Sequence, residues 1–169
     1  MSRLLRILQV EDDESDAAMV VRHMEQAGYS VQSLRVQDAE EMRQAIAEQA
    51  WDVVIADYHL PRFDAPGALR ILLDAGLDTP FVVVSGVLGD DLGVQMMKAG
   101  AHDYLSKSDL GRLAAAVERE VREARGRHDR RTLAAHRRNS NPQWREPPLR
   151  TKGPRLPGSA ASSDPRSHA

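Results

Sequence analysis

Ile7-Leu8-Gln9-Val10-Glu11-Asp12-Asp13-Glu14 sets a short apolar run directly against four acids. The run starts at Leu4 and reaches Val10, the length of a strand rather than a helix, and the acidic turn marks where that strand stops. Four further runs of strand length follow: Val31 to Val36, Trp51 to Ala56, Phe81 to Val84 and Ala101 to Leu105. Val53 to Ala56 and Phe81 to Val84 are apolar at every position, as expected of central parallel strands covered on both faces. The run in the thirties mixes in Gln32, Ser33 and Arg35 and suits an edge.

Between these runs the apolar period changes to that of a helix. Ala17, Val20, Val21, Met24 and Ala27 define helix 1, closed by Gly28. Asp38 followed by Glu41 resembles a capping box ahead of Met42, Ala45 and Ile46, which form helix 2. Pro66 fits the first turn of helix 3, which carries Leu69, Leu72 and Leu73 and stops at Gly76. Helix 4, Asp90 to Ala99, contains Gly93, which costs about 1 kcal/mol relative to Ala, so it is expected to be the least stable. Leu110, Leu113, Val117 and Val121 mark helix 5.

Strand and helix alternate five times. Right-handed crossovers then place helices on both faces of one sheet, an α/β doubly wound, parallel, five-stranded (βα)5 fold. In such a fold the ligand site lies beyond the carboxyl ends of the strands. Those ends carry Glu11 and Asp12, then Asp57, then Ser85 and Gly86, then Ser106 and Lys107. If strands 1 and 3 are neighbours, Glu11, Asp12 and Asp57 converge; two carboxylates about 4 Å apart repel by roughly 4 kcal/mol at an effective dielectric near 20, so that arrangement calls for a proton or a cation. Mg²⁺ suits it best, because it takes one or two carboxylates, keeps several waters and accepts a phosphoryl oxygen. No glycine-rich phosphate loop follows the first strand, which argues against a nucleotide site.

Composition removes other chemistries. The chain has 169 residues, room for one domain or one domain with a tail, and no cysteine, which excludes disulfides, zinc-thiolate and iron–sulfur sites and a cysteine nucleophile. There is no apolar run of membrane-spanning length, so a soluble cytoplasmic protein is expected. The near balance of 23 basic and 25 acidic residues hides two parts of opposite charge. Residues 1 to 125 hold 13 basic and 22 acidic side chains, and residues 126 to 169 hold 10 basic and 3 acidic. The second part also holds six of the nine prolines, with Leu133, Trp144, Leu149 and Leu156 as its only large apolar residues. Residues 126 to 169 are therefore read as a disordered basic tail, into which helix 5 extends by fraying through Arg127 to Arg138, behind a domain at residues 1 to 125.

Four segments together resemble the receiver domain of two-component response regulators: Ile7 to Glu14, Asp57-Tyr58-His59-Leu60-Pro61, Val84-Ser85-Gly86, and Met97-Lys98-Ala99-Gly100-Ala101-His102-Asp103-Tyr104-Leu105-Ser106-Lys107. The resemblance covers residues 3 to 125. It implies the CheY-like, flavodoxin-like strand order 2-1-3-4-5. It implies that Glu11, Asp12 and Asp57, with the backbone carbonyl of His59, hold Mg²⁺, and that Asp57 accepts the phosphoryl group. By the same resemblance Ser85 bonds that group, Lys107 pairs with its oxygens, and Ser85 and Tyr104 act as switch residues. The implied partner is a sensor histidine kinase or a histidine phosphotransfer protein. The protein is then no enzyme beyond its own phosphotransfer and autodephosphorylation. The stretch Ser85 to Asp91, with the ending Lys107-Ser108-Asp109-Leu110, looks most like receivers attached to sensor kinases.

The sequence departs from the family pattern in three places. Ser108 stands where Pro is usual, so a trans Lys107–Ser108 bond is expected; Ala65 and Gly86 replace a common Gly and Ala. Two readings from other classes compete with this one. A non-phosphorylated interaction module on this fold would normally lack one of Glu11, Asp12, Asp57 or Lys107, and a flavin carrier would need a hydroxyl- and glycine-rich first turn. In the tail, scattered arginines with Trp144 as the only aromatic give poor support for nucleic-acid binding. Whether two copies pair through helices 4 and 5, and which downstream protein is engaged, the sequence leaves open.

Overall fold

The computed structural model describes residues 2–86 and 89–139. Five strands, β1 (Arg3–Val10), β2 (Tyr29–Val36), β3 (Val53–Ala56), β4 (Phe81–Ser85) and β5 (Asp103–Ser106), alternate with α1 (Glu14–Gln26), α2 (Ala39–Glu48), α3 (Ala65–Asp74), α4 (Asp90–Ala99) and α5 (Leu113–Asn139). A short 3-10 turn at Leu110–Arg112 leads into α5. All pairings between neighbouring strands are parallel, in the order β2-β1-β3-β4-β5, as the resemblance implied.

Side chains alternate across each strand, so one sheet makes two cores. Leu8, Val10, Val54, Ala56, Phe81 and Val83 pack with Met42, Ala45, Ala68, Leu69, Leu72 and Met96 of α2, α3 and α4. Leu5, Ile7, Val53, Ile55, Val82 and Val84 pack with Val20, Met24, Leu113, Val117 and Val121 of α1 and α5. β3 and β4 are buried at every position, whereas β2 is largely exposed, the edge expected from its polar residues.

The helix ends follow from local chemistry. Asp13 caps α1 by accepting from the Ser15 and Asp16 amides, and Gly28 takes φ 93° just beyond it. Asp38 accepts from the Glu41 amide, but the Glu41 carboxylate reaches back to the amide of Gln37 rather than to that of Asp38. Asp64 caps α3 with a 2.7 Å bond from Gly67, and Gly76 closes it at φ 67°. α4 starts at Gly89 with no side-chain cap and ends at Gly100, φ 115°.

Several boundaries move from those read in the sequence: β2 starts at Tyr29 rather than Val31, and β5 ends at Ser106 rather than Leu105. Trp51 is not in β3: it is buried in the loop before it, where its indole donates to the Ala45 carbonyl and closes the end of α2. Ala101 is not in β5, because its amide bonds the Met96 carbonyl as part of the α4 C-cap. α5 continues as regular helix to Asn139, through the stretch Arg127 to Arg138 into which helix 5 is expected to extend. A helix already nucleated on a core extends at little cost through Arg and Ala, which favour it, and Arg127 and Arg131 clamp the extension to Asp78 at 3.2 and 3.3 Å. The disordered-tail reading of residues 140 to 169 lies outside the described residues. Among the described residues no helix is long and apolar enough to cross a membrane.

Candidate functional site

The carboxyl ends of β1, β3, β4 and β5 deliver the site. β1 runs into the buried Glu11, whose amide bonds the Val36 carbonyl at 3.1 Å. β3 runs into Asp57, whose amide bonds the Val10 carbonyl at 2.8 Å and so ties the two acidic ends together. One carboxylate oxygen each from Glu11, Asp12 and Asp57 lies within 4.8 Å of the others. Asp12 is exposed and Asp57 half-buried, so the cluster opens to solvent on one side. Hard oxygen donors gathered this closely are the donor set of Mg²⁺ or a similar divalent cation.

Lys107 enters from the end of β5, where its amide bonds the Ser85 carbonyl at 2.9 Å. Its ammonium bonds Glu11 at 2.9 Å, Asp57 at 2.8 Å and Asp16 at 2.5 Å, using all three of its donors. Burial alone would lower the pKa of this ammonium, but the bonds to Asp16, Asp57 and Glu11 outweigh burial and raise it above the ordinary lysine value. Glu11 moves the other way for an acid: burial lifts its carboxyl above the usual range, only partly opposed by Lys107 and by the Asp13 amide. Asp13 is held below the usual range by the Ser15 hydroxyl and by the Asp16 and Ser15 amides, in keeping with its place as a helix cap rather than a metal ligand.

Ser85 closes β4 and is 1% exposed; it pairs with Ser106 of β5, and its carbonyl accepts from the Lys107 amide. Tyr104 lies two residues before the end of β5, half-buried, with its ring against α4. A Cβ on Gly93 would stand 3.2 Å from that ring, so the glycine that weakens α4 is what lets Tyr104 pack there. Tyr104 also lines a groove of about 900 Å³ between α4 and β5, together with Val94, Met97, Ser106 and Arg112. The His59 side chain is exposed, its ring edge-on to Tyr58, and His59 pairs with Asp64 in an isolated bridge. No cis peptide bond occurs among the described residues, so Lys107–Ser108 is trans as expected.

Sequence reading missed two contributors. Asp16 reads as an ordinary acid of a first helical turn, yet it lies one turn before Val20, on the core-facing stripe of α1, where a charge is out of place. Arg35, on the edge strand, donates to the Glu11 and Asp12 carbonyls at 3.2 and 3.1 Å and fixes the acidic turn from outside.

The chain matches the response regulator receiver domain family over residues 7–118. Among curated proteins it is similar to the sensory/regulatory protein RpfC of Xanthomonas campestris pv. campestris, 34% identical over 112 residues, which are 64% of this chain and 15% of that protein. It is also similar to the response regulator MprA of Mycolicibacterium vanbaalenii, 35% identical over 103 residues, 61% of this chain and 44% of that one. The chain thus spans less than half the length of these two relatives. Among solved structures, a putative response regulator from Chloroflexus aurantiacus matches with a TM-score of 0.61 at 26% identity, covering 70% of this chain and 98% of the other. The signal receiver domain of a putative Luxo repressor protein from Vibrio parahaemolyticus, at 23% identity and a TM-score of 0.65 over 73% and 95% of the two chains, shows the fold alone. With well over half of its length matched and the acidic pair, Asp57, Ser85 and Lys107 all at strand ends, the chain belongs to the response regulator receiver domain family.

Proposed function

We propose that this protein is the phosphoacceptor of a two-component relay, in which Asp57 takes a phosphoryl group from a phosphohistidine on a sensor kinase or phosphotransfer protein. The observation that carries this reading is the meeting of Glu11, Asp12 and Asp57 within 4.8 Å while the same Asp57 carboxylate bonds Lys107. An Asp57 oxygen attacks phosphorus. The new O–P bond forms as the P–N bond breaks, and the imidazole leaves with the electron pair and takes a proton from solvent. A carboxylate attacking a phosphoryl group meets strong repulsion, and the Lys107 ammonium offsets part of it at the place where charge gathers. Glu11, Asp12 and Asp57, with the backbone carbonyl of His59, would hold Mg²⁺, which when bound would supply further neutralisation of the charge on the phosphoryl group.

Ser85 then holds the product through its hydroxyl, and Tyr104 with α4 carries the change to the partner surface. On this reading the protein acts on no separate substrate: it catalyses its own phosphorylation and the hydrolysis of its own acyl phosphate. It works in the cytoplasm, where kinases of this class present their phosphohistidine. Incubation with Mg²⁺ and acetyl phosphate should add one base-labile phosphoryl group, measured by mass. Omission of Mg²⁺ or Asp57→Asn should prevent it, while Lys107→Ala should impair the conformational response more than the phosphorylation. A wild-type chain left unmodified by acetyl phosphate and by several phosphorylated kinases would overturn the proposal in favour of a non-phosphorylated interaction module.

A further inference from the structure

Among the described residues, Asp16 is the one carboxylate on Lys107 that belongs neither to the acidic cluster of β1 nor to the phosphoacceptor. It sits in the first turn of α1, about one-third exposed, and bonds the ammonium at 2.5 Å. Glu11 and Asp57 take the other two ammonium protons. The ammonium is saturated, so it can bond a phosphoryl oxygen only by leaving a carboxylate. The charge count points the same way. Glu11, Asp12, Asp16 and Asp57 set four carboxylates against the Lys107 ammonium and the Arg35 guanidinium, which bonds the Glu11 and Asp12 carbonyls, and Asp16 adds its charge without being needed to complete the cation cluster.

We infer that Asp16 is a positioning residue that competes with the phosphoryl group for Lys107 and so limits how tightly the site holds a phosphoryl anion. This rests on the phosphoacceptor reading above and adds a control to it. Asp16 and Asp57 bond the same nitrogen, so their bonding oxygens are no farther apart than those two bonds laid end to end. Removing one unit charge at that range, in a partly exposed site, changes anion affinity by about tenfold. A solely structural role is the alternative, since an acid at this position also suits the helix macrodipole.

The test uses beryllium trifluoride as the phosphoryl mimic, titrated into the full chain at saturating Mg²⁺ so that metal affinity does not enter. Asp16→Asn keeps a hydrogen-bond acceptor and loses the charge. It should bind the mimic about tenfold more tightly and should be phosphorylated faster by acetyl phosphate. Asp16→Glu should return both values toward wild type. Unchanged or weaker binding by Asp16→Asn in a folded protein overturns the inference and leaves Asp16 a structural residue. Failure of the wild-type chain itself to bind the mimic and to be phosphorylated overturns the phosphoacceptor reading, and the control of Lys107 by Asp16 with it.

Discussion

α3 and α4 are both ten residues long and cover the same face of the sheet, yet they are held very differently. α3 is capped by Asp64, carries Pro66 in its first turn and buries Ala65, Ala68, Leu69 and Leu72. α4 begins at an uncapped Gly89, contains Gly93, leaves Val94 and Met97 about half exposed, and buries Met96. Local stability is set by caps and buried apolar contacts, so opening of α4 should cost much less than opening of α3. The rigid helix stands behind β3 and the Asp57 end of the site. The weak one stands against Tyr104 and β5, on the side that must change if phosphorylation is to be read by a partner.

The largest effect should come from cutting into each helix in turn. Leu72→Ala removes a side chain that is 2% exposed and should lower unfolding stability by about 2 to 5 kcal/mol in denaturant titration. Met97→Ala, at 46% exposure on α4, should stay within about 0.5 kcal/mol. Equal costs would erase the contrast between the helices.

A second test uses pH on the metal-free protein. Lys107 ties the end of β5 to β1, β3 and α1, and its folded pKa is raised above the unfolded value, so its contribution is fully present below about pH 10.5 and is lost as pH rises through the folded value. Alkaline loosening should therefore appear first in β5 and α4, as faster amide exchange there than in α3. Glu11 has the opposite sense: its raised pKa means the folded state holds a proton longer, so stability falls as pH rises from its ordinary 4.5 through the raised value. Glu11→Gln should flatten that decline, and an unaltered profile would remove burial of Glu11 as its source.

The smallest effect is expected at Gly93. Gly93→Ala gains about 1 kcal/mol of helix propensity but sets a methyl 3.2 Å from the Tyr104 ring. Relief needs the ring to give by a few tenths of an ångström toward the groove it lines, in which case the two terms nearly cancel while the Tyr104 ring resonances shift in NMR. A loss of about 2 kcal/mol or more would show Tyr104 firmly seated and would undo the picture of a yielding α4 side.

Strand order aside, the architecture is legible residue by residue: fully apolar Val53 to Ala56 and Phe81 to Val84 became the buried central strands, and the polar thirties became the edge. Glycines at 28, 76 and 100 ended helices 1, 3 and 4 as read, each at positive φ. Errors fell where a residue serves a neighbour rather than its own segment. Trp51 looks like strand and caps α2, and Ala101 looks like strand and caps α4. Residues 126 to 139, by contrast, continue α5 over the stretch into which helix 5 is expected to extend, and as its continuation they need no core of their own.

The sequence by itself determined which residues reach the carboxyl end of the sheet, because period and turn chemistry are local and because Glu11, Asp12, Asp57, Ser85 and Lys107 each follow an apolar run. What that end does with its charges only the tertiary structure decided. Lys107 bonds partners 96, 91 and 50 residues away, and nothing local distinguishes Asp16 from the other acids of the first turn of α1. Hydrogen bonds between strand ends form across space after the crossovers have brought the ends together, so their pairing is a property of the folded sheet and not of any segment within it.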